Sequence, residues 1–346
     1  MDIVDYAQFL NRAFISVVQA AYPWTIRHAP RLYGEFYRRT DRIPSGSLVQ
    51  RRLNTIGRSS LRAALDSYRP DLVVCTYPTP GAVVSHLRQA GHTNVPIATV
   101  ITDYTYHKQW LHPLADMSFV GCEALAESLI EAGLRPERVH NTGIPIRPIF
   151  AQTIDKAQAR ERLGLRQDCP TVLIMGGSCG VLPHAELLPR MLTEAGPNVQ
   201  AVAICGRNER LRSALEHEAQ RCGVDSLQVH GFVEHVNEFM AASDLMIGKA
   251  GGLTISEALA MRLPMVIHRP IVGQEAHNAR FLAEAGAAMI AHTPQELQWL
   301  LKQLMASPDR LSEMQAAAAA LAKPNAAADM VRIMLERIGR PLAASA

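Results

Sequence analysis

The pattern of hydrophobic and polar positions along the chain alternates between short apolar runs and longer amphipathic stretches. Apolar runs of about four to eight residues are typical of strands buried on both faces of a parallel sheet. Strands that alternate with helices predict an α/β fold with parallel sheets and right-handed crossovers. The predicted strands are 71–75, 95–101, 115–120, 138–142, 171–175, 199–205, 227–230, 245–248 and 265–267, and residues 2–5 resemble the end of another strand.

Helical periodicity and turn residues indicate how the chain is divided. The predicted helices include 7–21, 47–68, 81–90, 123–132 and 253–261, and helices fill 293–338. The turn-rich run GIPIRP, residues 143–148, predicts a linker between two sheet-containing domains. We therefore expect an N-terminal domain over 1–146, a C-terminal domain over 147–325 and a C-terminal helix over 326–346.

The stretch DLMIGKAGGLTISEALAMRLPMVIHRPIVGQEAHNA, residues 244–279, combines a buried strand, a glycine turn and a helix. Gly251 and Gly252 lead into the helix, and Thr254 lies in its first turn. Backbone N–H groups at such a helix start can hold a phosphate. Glu257, about one turn later, suits ribose hydroxyls better than phosphate. An ordinary tight turn would explain the two glycines alone, but it does not explain the polar run GQEAHN after the next strand.

Glycine-rich or polar clusters also follow three other predicted strands of the C-terminal domain. In open α/β sheets, ligands bind at the carboxyl ends of the strands. Gly177 and Ser178 form a loop that can approach a diphosphate or an acceptor, and Arg207 could pair with phosphate or ribose. A surface arginine that begins a helix explains Arg207 equally well. Phe232 and Val233 follow the third strand, where a core position is the alternative for the phenylalanine.

The run KAGGLTISEALAMRLPMVIHRPIVGQEAHNA resembles the donor-binding half of glycosyltransferase family 28. It is most similar to diacylglycerol glycosyltransferases, which include monogalactosyldiacylglycerol synthases and processive glucosyltransferases of bacteria. The peptidoglycan GlcNAc transferase is a more distant relative. The resemblance covers nearly the whole chain and implies the GT-B fold. In that fold two Rossmann-like lobes face each other across a cleft, and the C-terminal lobe holds the nucleotide sugar.

The resemblance also implies roles for residues of the C-terminal lobe. Family members hold uracil, by stacking and backbone contacts, at the positions of Phe232 and Val233. They hold the ribose at the position of Glu257, where the chemistry of the side chain agrees. A further loop of the family hydrogen-bonds the hexose, although a solvated loop with a helix cap is the alternative. The residues that match this loop are Gln274, Glu275 and Asn278.

In the N-terminal lobe, the run TDYTYHKQW, residues 102–110, matches the acceptor-side motif of the family. Asp103 and His107 follow a predicted strand, where an Asp or a His could act as the general base for the acceptor hydroxyl. Trp110 would contact the acceptor. A structural role is the alternative for the histidine.

The resemblance implies transfer of a hexose from a UDP-hexose donor to the hydroxyl of a membrane lipid, with diacylglycerol as the expected acceptor. Family members in this group invert the anomeric carbon. The helix start after Gly251 and Gly252 would stabilise the departing diphosphate. No Asp-x-Asp sequence occurs near a predicted strand end, which agrees with a site without metal or cofactor. A nucleotide-sugar-binding protein without transferase activity and a UDP-sugar epimerase of GT-B fold are the alternatives.

Composition narrows the class of protein. A chain of 346 residues is long enough for two domains with substantial cores, and a hydrophobic content of 48% indicates a globular protein. No uninterrupted apolar run is long enough to span a bilayer, and we expect no signal peptide. The six cysteines show neither zinc nor redox spacing, so we expect reduced thiols and a cytoplasmic location.

The first 62 residues are basic. They contain ten arginines and four acidic residues, a net charge of +6, whereas the whole chain carries +3. Arginines mixed with aromatic residues fit an anionic membrane surface, and they predict peripheral attachment to the inner face of the cell membrane. Nucleic acid could use the same charge, and a solvated helix face is a further alternative. Of these partners we expect the anionic membrane, and no nucleic acid.

The N-terminus departs from the family pattern. Relatives open with a strand and a glycine-rich loop that carries a histidine, roughly Gly-x-Gly-His, before the segment that residues 2–5 resemble. This chain shows no such loop. Either these elements are missing from the stated sequence or the protein has lost them. Of the two, we expect the genomic sequence upstream of Met1 to continue in frame and to encode that strand and loop.

Overall fold

The computed structural model divides into two compact units. The first unit comprises Met1–Ile144, Ile271–Gly273 and Ala326–Ala346, and the second comprises Pro145–Pro270 and Gln274–Asn325. The structure describes residues 2–10, 25, 29, 32, 34–35, 39–40, 57–177, 184–196 and 198–339. The described residues therefore do not include Ser178 or the predicted helical residues 11–21 and 47–56. They also leave out most of the basic segment at the N-terminus.

The first unit is built around a parallel sheet. Its described strands are β1 (Val73–Cys75), β2 (Ile97–Val100), β3 (Met117–Phe119) and β4 (Val139–His140), which lie side by side in that order. Its first helices are α1 (Arg58–Tyr68), α2 (Pro78–Gln89) and α3 (Glu123–Glu131), with 3-10 helices at Tyr6–Phe9, Lys108–Trp110 and Pro136–Arg138. β2 and β3 are buried along their whole length, whereas Val74 of β1 is exposed, so the prediction of a fully buried strand was wrong there.

Residues 2–5 do not form a strand, contrary to the prediction. Oδ1 of Asp5 accepts a hydrogen bond from the backbone N–H of Ala7 at 2.9 Å, and the 3-10 helix Tyr6–Phe9 begins directly after it. An aspartate that caps a helical turn in this way competes with extended pairing. Tyr6 and Phe9 pack against the apolar cluster of the unit instead.

The second unit contains a six-stranded parallel sheet within its described residues. The strands are β5 (Thr171–Met175), β6 (Gln200–Ile204), β7 (Leu227–His230), β8 (Leu245–Gly248), β9 (Met265–His268) and β10 (Ala288–Ala291), in the spatial order β10-β9-β8-β5-β6-β7. The helices are α4 (Lys156–Arg162), α5 (Leu188–Ala195), α6 (Glu209–Cys222), α7 (Val236–Ala242), α8 (Gly252–Ala260), α9 (Gln274–Glu284), α10 (Pro294–Met305) and α11 (Pro308–Leu321), with 3-10 helices at Pro148–Ala151 and Ala185–Leu187.

The core of this unit joins the sheet to its helices. Val172 and Ile174 of β5 and Leu245 of β8 belong to one buried cluster with Leu297 and Leu301 of α10. Such continuous burial explains why these strands appear in the sequence as unbroken apolar runs. Within the described residues, no helix combines the length and the apolar surface that crossing a lipid bilayer requires.

β5 lies at the topological switch point of the second sheet. From β5 the chain moves outward through β6 and β7, and it returns to the other side of β5 with β8. Gly248 ends β8 beside Met175 of β5, and a Cβ atom at Gly248 would lie 2.9 Å from the Met175 carbonyl oxygen. Glycine therefore lets the two strands end side by side. The loops after them flank the crevice where doubly wound sheets bind their ligands.

The last described helix, α12 (Ala326–Arg337), belongs to the first unit. Met330 and Met334 pack into a cluster with Val100 of β2 and Phe119 of β3. The guanidinium of Arg337 also lies 3.9 Å from a carboxylate oxygen of Asp116. The C-terminal helix thus completes the core of the unit formed by the first part of the chain.

Candidate functional site

The glycine turn after β8 leaves an open helix N-terminus. Gly251 occupies the N-cap position of α8 in an extended conformation, and no side chain of the described residues caps the helix there. Among the residues that the structure describes, a Cβ atom at Gly251 would meet only the Thr254 hydroxyl, at 3.9 Å. The first N–H groups of α8 and the helix dipole therefore face space that an anion can occupy. Gly252 is buried in the same turn.

Asn278 holds this turn from behind. Its side chain has no exposed surface, and its Nδ2 donates a hydrogen bond to the carbonyl oxygen of Ala250 at 3.0 Å. The predicted contact of Asn278 with the sugar stays a prediction, since this hydrogen bond accounts for the amide nitrogen only. The residue also positions the backbone from which α8 begins.

Glu257 lies one helical turn beyond the glycine turn and is half-buried. Burial raises the pKa of its carboxyl to about 7, and the positive charge of Arg147 opposes that rise. A carboxylate in a poorly hydrated position gains from neutral hydroxyl donors, because they replace lost water contacts. This environment suits the predicted contact with a vicinal pair of ribose hydroxyls.

Arg147 is a residue of this region that sequence reasoning missed. Its Nη1 donates to the carbonyl oxygen of Glu234, in the loop after β7, at 3.2 Å. Its guanidinium also lies 5.3 Å from the centre of the Phe150 ring. The run GIPIRP that contains it predicts only a linker, so the local pattern does not identify Arg147.

The loops after β6 and β7 meet through an arginine and a phenylalanine. Phe232 is 65% exposed, so the core alternative for this residue is wrong. The guanidinium of Arg207 lies 5.7 Å from the centre of the Phe232 ring, within the range of a cation–π contact. Val233 beside it is half-buried. The pair presents an aromatic face at the carboxyl edge of the sheet, as a base-stacking position requires.

Three further predicted residues are described at this edge of the sheet. Gly177 follows β5 with a φ of +71°, a conformation that favours glycine. Gln274 and Glu275 lie in the first turn of α9 and are half-buried. The predicted partner of Gly177, Ser178, lies outside the described residues. Across the residues that the structure covers, no three His, Cys, Asp or Glu side chains form a cluster that could hold a metal ion.

In the first unit, the acceptor-side motif follows β2. Asp103 is half-buried just beyond the strand, whereas Trp110 is 4% exposed and ends the 3-10 helix Lys108–Trp110. The ring of Trp110 is thus largely enclosed in this structure, and its predicted contact with the acceptor stays a prediction.

His107 is buried and caps that 3-10 helix. Its Nδ1 accepts a hydrogen bond from the backbone N–H of Gln109 at 3.2 Å, and its Nε2 lies 3.5 Å from the Thr40 hydroxyl. A neutral imidazole that accepts at Nδ1 carries its proton on Nε2. The predicted role of His107 as a general base stays a prediction, and the cap gives the ring a fixed orientation.

Comparison with known proteins decides the family. Residues 1–146 match the family model described as monogalactosyldiacylglycerol (MGDG) synthase, and residues 171–330 match the glycosyltransferase family 28 C-terminal domain. The chain is 32% identical over 305 residues to the processive diacylglycerol beta-glucosyltransferase of Bacillus cytotoxicus, a match that covers 88% of this chain and 77% of the relative. The chain belongs to glycosyltransferase family 28. The predicted family is thus confirmed.

A second relative of this family is covered less completely. The processive diacylglycerol beta-glucosyltransferase of Staphylococcus epidermidis is 37% identical over 258 residues, which are 75% of this chain. The match spans 65% of the length of that relative.

Solved structures confirm the fold. The crystal structure of MurG from Acinetobacter baumannii superposes with a TM-score of 0.63 at 20% identity, covering 82% of this chain and 80% of that one. The structure of MnaA from S. aureus with UDP gives a TM-score of 0.64 at 17% identity, covering 86% and 84%. Two Rossmann-like parallel-sheet units and these likenesses assign the glycosyltransferase to the GT-B fold, as predicted.

Proposed function

We propose that this family 28 member is a UDP-sugar-dependent hexosyltransferase that glycosylates diacylglycerol in glycolipid biosynthesis. One arrangement carries the proposal: the open N-terminus of α8 and the carboxylate of Glu257 lie one helical turn apart beside the switch point of the second sheet. That spacing provides donors for a diphosphate and an acceptor for ribose hydroxyls. The names of its relatives support diacylglycerol as the acceptor.

The proposed step is a single displacement. The acceptor hydroxyl oxygen forms a bond to the anomeric carbon while the bond from that carbon to the β-phosphate oxygen breaks, which inverts the configuration. UDP leaves with the electron pair, and the N–H groups at the start of α8 stabilise its developing charge. We assign the hydroxyl proton to Asp103 or His107 of the acceptor-side motif as general base, since a carboxylate or an imidazole can accept a proton there.

The remaining donor contacts follow from the carboxyl edge of the same sheet. We assign uracil to the exposed ring of Phe232 and to Val233, and the hexose to Gln274 and Glu275 in the first turn of α9. Gly177, Ser178, Arg207 and Thr254 remain proposed donor contacts. For the acceptor side, we propose that the basic segment of residues 1–62 attaches the chain to the anionic inner face of the cell membrane.

Turnover with vesicles tests this function. The full chain is incubated with UDP-glucose or UDP-galactose and with vesicles that contain diacylglycerol, and both glycolipid and free UDP are measured. We expect glycolipid formation that requires the lipid and is lost in Glu257→Ala. UDP release without lipid would indicate hydrolysis, and interconversion of UDP-sugars would indicate an epimerase. Tight UDP binding without any turnover would leave only a binding protein. Each of these results contradicts the proposal.

A further inference from the structure

Three residues just before α9 belong to the first unit. Ile271–Gly273 is part of that unit, whereas Pro270 and Gln274 on either side are part of the second. The same three residues directly precede Gln274 and Glu275, which are assigned above to the donor hexose. A short loop that packs in the first unit therefore leads straight into the helix that carries these two side chains.

Val272 of this loop packs against Gly34 of the basic segment of residues 1–62, and both residues belong to the first unit. Gly34 is helical and buried. A Cβ atom at Gly34 would lie 2.6 Å from Cγ1 of Val272 and 2.8 Å from its Cβ. No side chain tolerates such distances, and the Cβ of a valine is fixed to its backbone, so a larger residue would force the loop and the segment apart. Glycine thus allows this close approach.

A second contact joins the basic segment to the acceptor-side motif of the same unit. The hydroxyl oxygen of Thr40 lies 3.5 Å from Nε2 of His107. The side chain of Arg39, the preceding residue, is 77% exposed and pairs with Glu35 at 2.9 Å. The basic segment therefore exposes charge to the solvent, while Gly34 and Thr40 contact two loops that carry or precede predicted site residues.

We propose that the basic segment is part of the framework of the transfer site, in which Gly34 and Val272 form a positioning pair that places Gln274 and Glu275 for the donor hexose. The pair acts through the chain, because Val272 is two residues before Gln274 and a shift of the loop passes along the backbone to the first turn of α9. The inference rests on the proposed function, since it takes Gln274 and Glu275 as contacts of the hexose. It adds a role in catalysis to a segment that is otherwise assigned only to membrane attachment.

Disturbing this pair should affect the hexose and spare the nucleotide. Phe232 and Glu257, which are assigned to uracil and ribose, belong to the second unit and come before the loop in the chain. The affinity for UDP alone reports on them. Turnover of a UDP-hexose also reports on Gln274 and Glu275, so the two measurements together locate the damage.

Two variants of the full chain disturb the pair from opposite sides. Gly34→Ala forces the close approach apart, and Val272→Ala removes the methyl groups that lie against the glycine. With vesicles that contain diacylglycerol, and with UDP-glucose or UDP-galactose according to which one the wild type uses, we expect each variant to lower kcat/KM about three- to ten-fold. Calorimetry should give UDP affinities within about two-fold of the wild type. Sedimentation with anionic vesicles should be unchanged, because neither substitution alters charge.

A double variant tests whether the two residues act together. Gly34→Ala/Val272→Ala should lose less than the product of the two single fold-changes, because both substitutions disturb the same contact. Fold-changes that simply multiply would show two independent perturbations and would overturn the pair. Val331→Ala is the matched control, since Val331 of α12 is 47% exposed and Val272 is 46% exposed. It should change neither kcat/KM nor UDP affinity.

The remaining outcomes separate this inference from the proposed function. Wild-type kcat/KM in both single variants would show that the contact does not position the hexose residues. An equal loss of UDP affinity would indicate general damage, and it too would overturn the inference. If Gly34→Ala does not fold, Val272→Ala decides alone. If the wild type transfers no hexose, the proposed function fails, and the ratio of UDP-hexose to UDP affinity in wild type and Val272→Ala then decides the inference, with an unchanged ratio against it.

Discussion

The side-chain amide of Asn278 donates to the carbonyl oxygen of Ala250 across 3.0 Å, so a fully buried residue of α9 holds the turn that begins α8. The two residues are 28 positions apart. This hydrogen bond therefore joins α9 to the glycine turn after β8. Asn278 is fully buried, whereas Gln274 and Glu275 of the same polar run are only half-buried, so neighbouring side chains differ in their access to a ligand.

Substitution of Asn278 should damage the turn that begins α8. Asn278→Ala leaves a buried carbonyl oxygen unpaired, which should cost about 1–3 kcal/mol of unfolding free energy. UDP affinity should fall as well, because the N–H groups of α8 lose their fixed position. Chemical denaturation and calorimetry with UDP measure the two effects. Arg280→Ala, at an exposed position of the same helix, is the matched control and should change neither. Unchanged stability in Asn278→Ala would contradict the structural role.

Phe232 should contribute to nucleotide binding without contributing to stability. Its ring is 65% exposed, so Phe232→Ala should leave the unfolding free energy almost unchanged. Loss of stacking on a base should weaken UDP binding by about 1–3 kcal/mol. Trp299→Ala removes another exposed aromatic ring of the second unit, from α10, and should not affect binding. Equal UDP affinities of Phe232→Ala and wild type would remove Phe232 from the site.

His112 should make the first unit sensitive to acid. It is buried, and its Nε2 has no hydrogen-bond partner among the described residues. Burial lowers its pKa to about 4, and the Pro78 carbonyl opposes that change. The unfolded chain binds a proton below pH 6.5 or so, whereas the folded chain does not until about pH 4. The free energy of unfolding therefore does not depend on His112 above about pH 6.5, and it falls as the pH drops from there to about 4.

Between about pH 6.5 and pH 4, His112 should lower the free energy of unfolding by about 3 kcal/mol. Denaturation curves at a series of pH values measure it, and His112→Gln should flatten the slope even if it lowers stability overall. His92→Gln, at a half-buried histidine of the same unit, should leave the slope intact. An identical slope in wild type and His112→Gln would show that other groups are responsible.

Membrane attachment should weaken with salt. Residues 1–62 carry a net charge of +6, and exposed charges are screened over about 8 Å at physiological ionic strength. Sedimentation with anionic vesicles should show binding at low salt and release at high salt, with little binding to zwitterionic vesicles. Arg51→Gln/Arg52→Gln should bind less than the control Arg210→Gln/Arg280→Gln, which removes the same charge from the second unit. Binding that ignores both salt and anionic lipid would refute the electrostatic attachment.

Local sequence determined much of the second unit. The runs at 171–175 and 245–248 form the strands predicted for them, because each is apolar enough to be buried on both faces and is bounded by turn residues. The run at 227–230 also forms its predicted strand, but it lies half-buried at the edge of the sheet. Gly251 and Gly252 begin a helix where the pattern predicts one. Strand β10 was missed, since its alanine-rich sequence has no strong strand propensity and only pairing with β9 makes it a strand.

The roles of individual polar residues depended on tertiary structure. Asn278 and His107 resemble site residues in sequence, and the structure adds that both are buried and hydrogen-bonded to the backbone, Asn278 to Ala250 and His107 to Gln109. Arg147 lies in a run that predicts a linker, yet folding brings its guanidinium to the carbonyl oxygen of Glu234. Its positive charge also opposes the rise that burial causes in the pKa of Glu257. The sequence by itself determined the family, the strand–turn–helix elements and the location of the glycine turn, because these depend on local propensity and on burial pattern. Tertiary structure decided which polar groups face a ligand, because the partners that satisfy a buried polar group come from distant parts of the chain.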